Sequence, residues 1–446
     1  MKRNLQLRKF ATKLMLGAAM VPMLAISLQA QDVKPIPEGT PEAIEKPKLY
    51  LKYDNNNIPG VDKLVFNGLT GKVTQKELKG LTEYFLDRPI FTTNWHNTLF
   101  ASWTKAHMME WLYDVNGDIR LVNRMIEQAN SINDHRDDHY RKYKTKISDT
   151  EAIYTKGWSH FRGMEELNGE QVKSKLGIAT LGTGTNFPAL TASMIANHPE
   201  IWKKKYQGKT YKEIMKVMLE RVHESWGFAI KHYYDKKTNL LLSPSFGAEP
   251  LDYVPQWNRI FPLMAAGNVL VDTYEKLGEK DARAEKVDRI MKALIKEFWE
   301  NSRTETVNGS KVLLFPYGVY RLKSNPMHTE DGGHYGFDLR GFRAFHESGR
   351  YWNKEQTQLL ANVMAENIVK DDKGTFAKRL DGSGESKKYD YWGALPPMIW
   401  LAEFRPDLDH KMVEYIYSVM NKRGCLDGRV VFHSLHLRAK RYGIEK

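Results

Sequence analysis

The stretch LFPYGVYRLKSNPMHTEDGGHYGFDLRGFRAFHESGRY, residues 314–351, guides the interpretation of the whole chain. Gly332 and Gly333 interrupt the backbone immediately before His334, and an amphipathic helix is predicted to begin a few residues later. Gly349 follows that helix, where glycine can adopt the left-handed conformation that ends a helix. Proton-transfer groups are often presented beside a rigid helix start, after a turn. The stretch therefore predicts a functional loop that enters a core helix.

The same pattern, an apolar helix that ends at glycine and is followed closely by a second helix, recurs along the chain. The junctions are at Gly117, Gly278 and Gly349. Repeated antiparallel helix pairs indicate either a helical solenoid or a closed ring. Because the chain has only about ten predicted helices and no polar capping repeats, we expect the ring. The predicted fold is all-α, an (α/α)n toroid of six or seven helical hairpins with long loops over one end.

The N-terminus is predicted to precede the folded domain. Residues 1–30 combine basic residues with the apolar run LMLGAAMVPMLAIS at 14–27, which is typical of a cleaved signal peptide. Residues 31–60 are rich in proline, asparagine and charge and are predicted to be an extended leader, so that 61–446 form a single α/α-toroid domain. No other stretch approaches the ~20 apolar residues of a membrane span. We expect a periplasmic or secreted bacterial protein without stable membrane insertion.

Charge and cysteine content narrow the class of partner. The 446 residues carry a formal net charge of +13 and one cysteine, Cys425, so no intramolecular disulfide can form. In an exported protein this basic balance favours a polyanion outside the cytoplasm, such as an acidic polysaccharide, over nucleic acid. The sequence has no glycine-rich phosphate loop. We therefore expect no nucleotide-binding fold and no cofactor.

Several segments combine aromatic, amide and ionisable residues as a sugar-binding site would. Aromatic rings stack on the C–H face of a pyranose, and an amide beside a guanidinium can hold a carboxylate. The candidate catalytic residues are Tyr317, His334, Arg259 and Asn258. The candidate substrate-binding residues are His96, Asn97, Trp103, Trp158, His160, Tyr253, Trp257, Glu330, Tyr335 and Arg340. The order of His and acidic residues near 328–334 matches no strong zinc signature, so no metal is expected.

Three motifs give the chain a family resemblance. PQWNR at 255–259, FPY at 315–317 and EDGGHYGFD at 330–338, within a predicted helical toroid, resemble the α/α-toroid polysaccharide lyases. The likeness is to the alginate and glucuronan lyases grouped as polysaccharide lyase family 38. It extends over about 94–407 and is clearest over 255–349.

The resemblance implies a tyrosine and a histidine for proton transfer, with Asn, His or Arg neutralising a uronate carboxylate. Tyr317 stands where the tyrosine is expected. Asn258 is similar to the first member of an Asn-His pair, but Arg259 stands in place of the histidine. His334, His160 or His96 would then have to supply the imidazole.

The chemistry of β-elimination fits these residue types. Arg259 and Asn258 would stabilise the enolate-like intermediate by neutralising the carboxylate. His334, or a tyrosinate, would remove the C5 proton, and Tyr317 would protonate the departing O4. The predicted function is therefore a secreted polysaccharide lyase that cleaves a uronate polymer of the alginate or glucuronan type.

Two other functions remain open from the residues alone. A glycoside hydrolase on a similar toroid would use two of Glu330, Asp331 and Asp338 as its carboxylate pair. A non-enzymatic glycan-binding protein would use the aromatic residues and release no product.

Overall fold

A computed structural model describes the chain from residue 60 onward, with gaps in the connections. The described residues are 60–90, 95–147, 150–158, 164–173, 178–241, 256–318, 330, 332–371, 375–386 and 395–446. For 95–103, 165 and 421–423 the description covers the backbone alone. The predicted signal peptide and nearly all of the predicted leader lie outside these ranges and stay predictions. No helix in the described ranges is both long enough and apolar enough to cross a bilayer.

Helices make up most of the described chain. In chain order they are α1 (Gln75–Asp87), α2 (Trp95–Asn116), α3 (Ile119–Asp134), α4 (Asp137–Tyr140), α5 (Ile178–Asn197), α6 (Tyr211–His232), α7 (Trp257–Leu277), α8 (Ala282–Asn301), α9 (Gly332–Ser348), α10 (Lys354–Asn362), α11 (Leu395–Ile399), α12 (Leu408–Arg423) and α13 (Gly428–Tyr442). Short 3₁₀ helices occur at Val61–Lys63, Pro199–Ile201 and Trp400–Glu403, and a π-helix continues α10 at Val363–Ile368.

Strands are short and lie in the connections. They are β1 (Thr145–Lys146), β2 (Ala152–Ile153), β3 (Met164–Leu167), β4 (Glu170–Lys173), β5 (Lys205–Tyr206), β6 (Lys209–Thr210), β7 (Tyr234–Asp235), β8 (Leu240–Leu241), β9 (Arg303–Val307) and β10 (Ser310–Leu314). The first four form one sheet in the order β2-β1-β4-β3, in which β1 and β4 are parallel and the other pairs antiparallel. The remaining six form three antiparallel hairpins.

The helices form a closed double ring. Helices α2, α5, α7, α9, α11 and α13 form the inner layer: each contacts the next, and α13 contacts α2. An outer helix precedes each inner one in the chain: α1, α3, α6, α8, α10 and α12 respectively. The predicted all-α toroid is confirmed, and the described residues form six helix pairs rather than seven.

Close approach of the inner helices explains the small residues of α5. Every residue from Thr180 to Ala196 is buried, so this helix is enclosed on all sides. A side chain at Gly182 would overlap the backbone of Leu263 on α7, and one at Gly184 would overlap the Trp158 ring. Glycine is therefore needed at both positions for α5 to pack at this distance.

Backbone pairing of the two ends of the domain completes the ring. The Val73 amide donates to the Gly443 carbonyl at 3.1 Å, and the Glu445 amide donates to the Val73 carbonyl at 2.8 Å. Beside this bridge, the buried Arg438 on α13 donates to the Glu77 carboxylate on α1 at 2.6 Å. The first and last helices of the domain are therefore far apart in sequence but are held next to each other by these hydrogen bonds.

The connections are unequal at the two ends of the ring. Short turns lead from inner to outer helices, for example at 117–118, 278–281 and 349–353. Longer connections at 135–177, 233–256 and 302–331 lead from outer to inner helices. Because successive helices in such a pair run antiparallel, every inner helix begins at the same end. We call this end the mouth of the ring.

Candidate functional site

Tyr317 and His334 lie side by side at the mouth. The β9–β10 hairpin ends in the buried Phe315, and two residues later the Tyr317 ring lies with its centroid 5.4 Å from that of the His334 imidazole. His334 is in the first turn of α9, and its side chain is 43% exposed. Tyr317 is half-buried. Both side chains can therefore meet a ligand at the start of an inner helix.

A buried carboxylate lies behind the imidazole. Glu330 has no exposed surface, and its Oε1 atom is 4.0 Å from Nδ1 of His334. The Asn258 side-chain amide donates to the other carboxylate oxygen, Oε2, at 3.3 Å. The Glu330 backbone is fixed as well, since its amide donates to the Phe315 carbonyl at 3.1 Å. Asn258, Glu330, His334 and Tyr317 thus form one continuous set of contacts, which we call the mouth cluster.

Backbone pairing brings the start of α7 to the Tyr317 segment. Gln256 forms an antiparallel bridge with Gly318, and the Trp257 amide donates to the Tyr317 carbonyl at 3.3 Å. These bonds bring together segments about sixty residues apart. Arg259 follows in the first turn of α7 and is half-buried.

Three predicted ligand-binding residues lie in the core instead. Trp257 is fully buried, with its ring 5.2 Å from that of Phe298. Tyr335 is fully buried, and its hydroxyl donates to the Leu360 carbonyl at 3.1 Å. Trp158 is 3% exposed, and its indole N–H donates to a backbone carbonyl of α3. Rings without accessible surface cannot stack on a sugar, so we assign all three to packing.

Arg340 and Asp338 are also buried. Both are on α9, beyond the turn that carries His334. The Arg340 guanidinium carbon lies 4.6 Å from the centroid of the Phe337 ring. Burial, and then the charge of Arg429, lowers the pKa of Arg340 to about 9. Neither side chain belongs to the mouth cluster.

The remaining predicted residues fall outside what the structure describes. His160 and Tyr253, like Asp331 of the hydrolase alternative, are not in the described ranges. His96, Asn97 and Trp103 lie on α2, but only their backbone is described. Within the described residues, no group of three or more His, Cys, Asp or Glu side chains is arranged to hold a metal ion.

A second polar cluster, not predicted from the sequence, includes residues nearer the C-terminal end of α9. We call it the far-end network. Arg343 on α9 donates to Glu347 at 2.8 Å, and its guanidinium lies 3.0 Å from His433 Nδ1 and 3.2 Å from His436 Nδ1 on α13. His107 on α2 lies 3.2 Å from the second oxygen of Glu347. The network therefore links three inner helices.

Burial and charge determine protonation in the far-end network. Burial alone would raise the pKa of Glu347, but the charges of Arg343 and His107 lower it well below its ordinary value. Burial, and then the charge of Arg343, lowers the pKa values of His433 and His436 well below the ordinary value. A sequence signal existed, since two histidines three residues apart on one helix share a face, but their partner is about ninety residues away.

Comparison with known proteins finds no similar family or curated sequence and a weak structural similarity. No protein-family profile matches this chain, and no curated protein matches it. The structure is similar to the crystal structure of a family 76 glycoside hydrolase from a bovine Bacteroides thetaiotaomicron strain, with 12% sequence identity and a TM-score of 0.35. The match covers 71% of this chain and 54% of that chain. We base no argument on a likeness of this size.

Proposed function

We propose that this chain is a polysaccharide lyase that cleaves a uronate-containing polymer, of the alginate or glucuronan type, by β-elimination. The observation that carries the proposal is the difference in exposure between the Tyr317–His334 pair and two described carboxylates, Glu330 and Asp338. The His334 and Tyr317 side chains are accessible and in contact, whereas Glu330 and Asp338 have no exposed surface. Groups that exchange protons with a substrate must reach it, which favours the imidazole and the phenol.

In the proposed reaction His334 accepts the C5 proton of the uronate. Glu330 faces Nδ1 of the imidazole, and Nε2 is the atom proposed to take the proton. The electron pair of the C5–H bond forms the C4–C5 double bond, and the C4–O4 bond breaks. Tyr317 gives its proton to the departing O4. Asn258 orients Glu330 through its amide, and Arg259, next on α7, is proposed to neutralise the substrate carboxylate.

The burial of the described carboxylates speaks against hydrolysis. A glycoside hydrolase needs two carboxyl groups that flank the scissile bond, about 5–9.5 Å apart. Glu330 is enclosed behind His334 and accepts from Asn258, and Asp338 is fully buried on α9. Neither is presented to a sugar at the mouth. Elimination through the accessible pair needs no such carboxylate.

Digestion of a panel of polymers tests the proposal. Purified protein is mixed with alginate, glucuronan, pectate and glycosaminoglycans, and the products are followed by ultraviolet absorbance and mass. A lyase gives one conjugated C4–C5 double bond for each bond cleaved. New reducing ends without that chromophore would indicate a hydrolase, and binding without product would indicate a glycan-binding protein. Either result would refute the proposal.

Substitution at the pair gives the matched control. Tyr317→Phe and His334→Gln are expected to abolish chromophore formation. The exposed His410→Gln on α12 changes the same residue type away from the mouth cluster and is expected to retain full activity. Equal activity of His334→Gln and His410→Gln would show that the His334 imidazole does not take part in the reaction.

The proposed substrate also defines where the protein acts. We propose export to the periplasm or beyond, because uronate polymers are extracellular and the sequence predicts a cleaved signal peptide. N-terminal sequencing of the protein recovered from a bacterial host tests this. Recovery of the intact N-terminus in the cytoplasm would contradict export.

A further inference from the structure

Arg340 differs from the other buried arginines of the described chain. Arg136, Arg343 and Arg438 are each bonded to a carboxylate, at 2.6, 2.8 and 2.6 Å respectively. Arg340 is 3% exposed, and its Nε and Nη1 atoms have no hydrogen-bond acceptor among the described residues. Burying an unpaired guanidinium costs several kcal/mol, since the charge is removed from water without compensation. Among the described residues, the other three buried guanidinium groups are paired, whereas two nitrogen atoms of Arg340 are not.

The surroundings of Arg340 add positive rather than negative charge. Arg429, in the first turn of α13, is close enough to lower the pKa of Arg340, although its own guanidinium is bonded to Asp427 at 2.7 Å. Burial lowers the pKa of Lys105 on α2 to about 7, and the charges of Arg88 and Arg429 contribute further. Arg429 therefore adds positive charge near both Arg340 and Lys105, opposed at Lys105 by Asp427.

The position of Arg340 relates it to the mouth. Arg340 follows His334 by six residues on α9, which is ~9 Å along the helix axis. The Phe337 ring lies between them in sequence and contacts the Arg340 guanidinium at 4.6 Å. This ring covers one face of the guanidinium and leaves its edge for an acceptor. Arg340 therefore lies less than two turns beyond His334 along α9.

We propose that Arg340 binds a carboxylate group of an acidic sugar, at a site inside the ring that is separate from the Tyr317–His334 pair. A carboxylate matches the fork of the guanidinium with two parallel hydrogen bonds. The choice of a uronate as the ligand rests on the proposed function; the need for an anion rests on the unpaired guanidinium alone.

Binding of a single sugar tests the site without cleavage. Glucuronate and glucose share a ring and differ in the carboxylate, so they are titrated against the protein in chloride-free buffer by calorimetry. We expect glucuronate to bind and glucose not to bind. Arg340→Gln should weaken glucuronate binding by at least about tenfold, because charged hydrogen bonds contribute more than neutral ones. The exposed Arg289→Gln on α8 is the matched control and should bind as wild type does.

Stability provides a second readout that a purely structural arginine would not give. Without ligand, Arg340→Gln should unfold at a higher urea concentration than wild type, because the unpaired charge is gone. Added glucuronate should stabilise wild type more than the variant, in which only the carboxylate contact proposed for Arg259 remains. Equal glucuronate affinity of wild type and Arg340→Gln, or no binding to either, would overturn the proposal.

Two further variants separate this site from the proposed reaction. If Arg340→Gln does not fold, Arg340→Lys keeps the charge but not the fork, and unchanged affinity in that variant would also overturn the site. The exposed His410→Gln, on α12 and outside both proposed sites, should bind glucuronate as wild type does. Arg340-dependent binding without cleavage of any polymer would retain the anion site and refute the lyase. Cleavage of a polymer, with glucuronate binding that does not depend on Arg340, would support the lyase and refute the anion site.

Discussion

The two polar clusters of this ring contain similar residue types but differ in how far those residues are exposed. The mouth cluster (Asn258, Tyr317, Glu330 and His334) lies at helix starts and on a connection, with an imidazole whose side chain is 43% exposed. The far-end network (His107, Arg343, Glu347, His433 and His436) lies within three inner helices, and its central Arg343 side chain is 2% exposed.

This difference shows what each cluster can do. An exposed imidazole backed by a carboxylate can exchange a proton with a ligand. The buried His433 lies 3.0 Å from a guanidinium and keeps a pKa well below its ordinary value, so it stays neutral and holds Arg343 in place. The mouth cluster is therefore expected to control activity, and the far-end network is expected to control stability.

The largest expected effect is on the activity of Tyr317→Phe. Removing the proposed acid should lower the rate of chromophore formation about 10³-fold, within the range for general acid catalysis. Stability should change by less than about 0.5 kcal/mol, because the hydroxyl belongs to a half-buried ring. Initial rates and urea unfolding measure the two quantities. A large loss of stability in Tyr317→Phe would contradict the expectation that the mouth cluster controls activity rather than stability.

The reverse pattern is expected for Glu347→Gln. Loss of this carboxylate leaves Arg343 buried without its anionic partner, which should lower the free energy of unfolding by about 3 kcal/mol. The lower end of the range for a buried pair applies, since the Glu347 side chain is 29% exposed. Urea unfolding measures the loss, and the rate for each folded molecule should stay unchanged. The double variant Arg343→Met, Glu347→Leu should recover part of the stability, because no charge is then left unpaired.

The ring was predictable because helical periodicity and glycine helix ends are local signals. The number of helix pairs was not predictable, and α11 shows why. The described part of this inner helix is Leu395–Ile399, followed by the 3₁₀ helix Trp400–Glu403, and Pro396 and Pro397 lie in its first turn. Proline lacks the N–H of a regular helix, so this short inner helix is fixed by its neighbours rather than by its own pattern.

The candidate site was predictable only in part. Polar residues at the starts of α7 and α9 indicated the mouth, and the structure brings Asn258, Tyr317 and His334 together. The sequence did not show which face of each helix points to the core. Trp257 was therefore expected to face the ligand, whereas in the structure it contacts Phe298. The far-end network was missed because Arg343 and His433 meet only when α13 closes the ring.

The far-end network should also make stability depend on pH. Burial, then the charge of Arg343, lowers the pKa values of His433 and His436 well below the ordinary 6.5 in the folded chain. Below that pH the unfolded chain binds more protons than the folded one, so stability should fall as pH decreases. The slope is up to about 1.4 kcal/mol per pH unit for each histidine.

Urea unfolding between roughly pH 7 and pH 5 measures this slope. His433→Gln should reduce it, since Gln does not titrate, and the exposed His410→Gln should leave it unchanged. An identical slope in wild type and His433→Gln would mean that the network does not couple to protons. Glu347 adds its own loss only at lower pH, because its depressed pKa stabilises the fold above the ordinary carboxyl value.

The smallest rate loss is expected for Glu330→Gln. Glu330 is the member of the mouth cluster that most resembles the buried far-end network. Glu330 is fully buried, as Arg343 nearly is, but the His334 imidazole it faces is exposed and 4.0 Å away. Glu330→Gln keeps the shape and the contact with Asn258 but removes the charge that orients the imidazole, so the rate should fall roughly tenfold, about 1.4 kcal/mol in barrier. Because Gln can still accept from the Asn258 amide, the free energy of unfolding should change little. A stability loss as large as that of Glu347→Gln, with an unchanged rate, would move Glu330 from the catalytic set to the structural one and leave His334 to act without an orienting carboxylate.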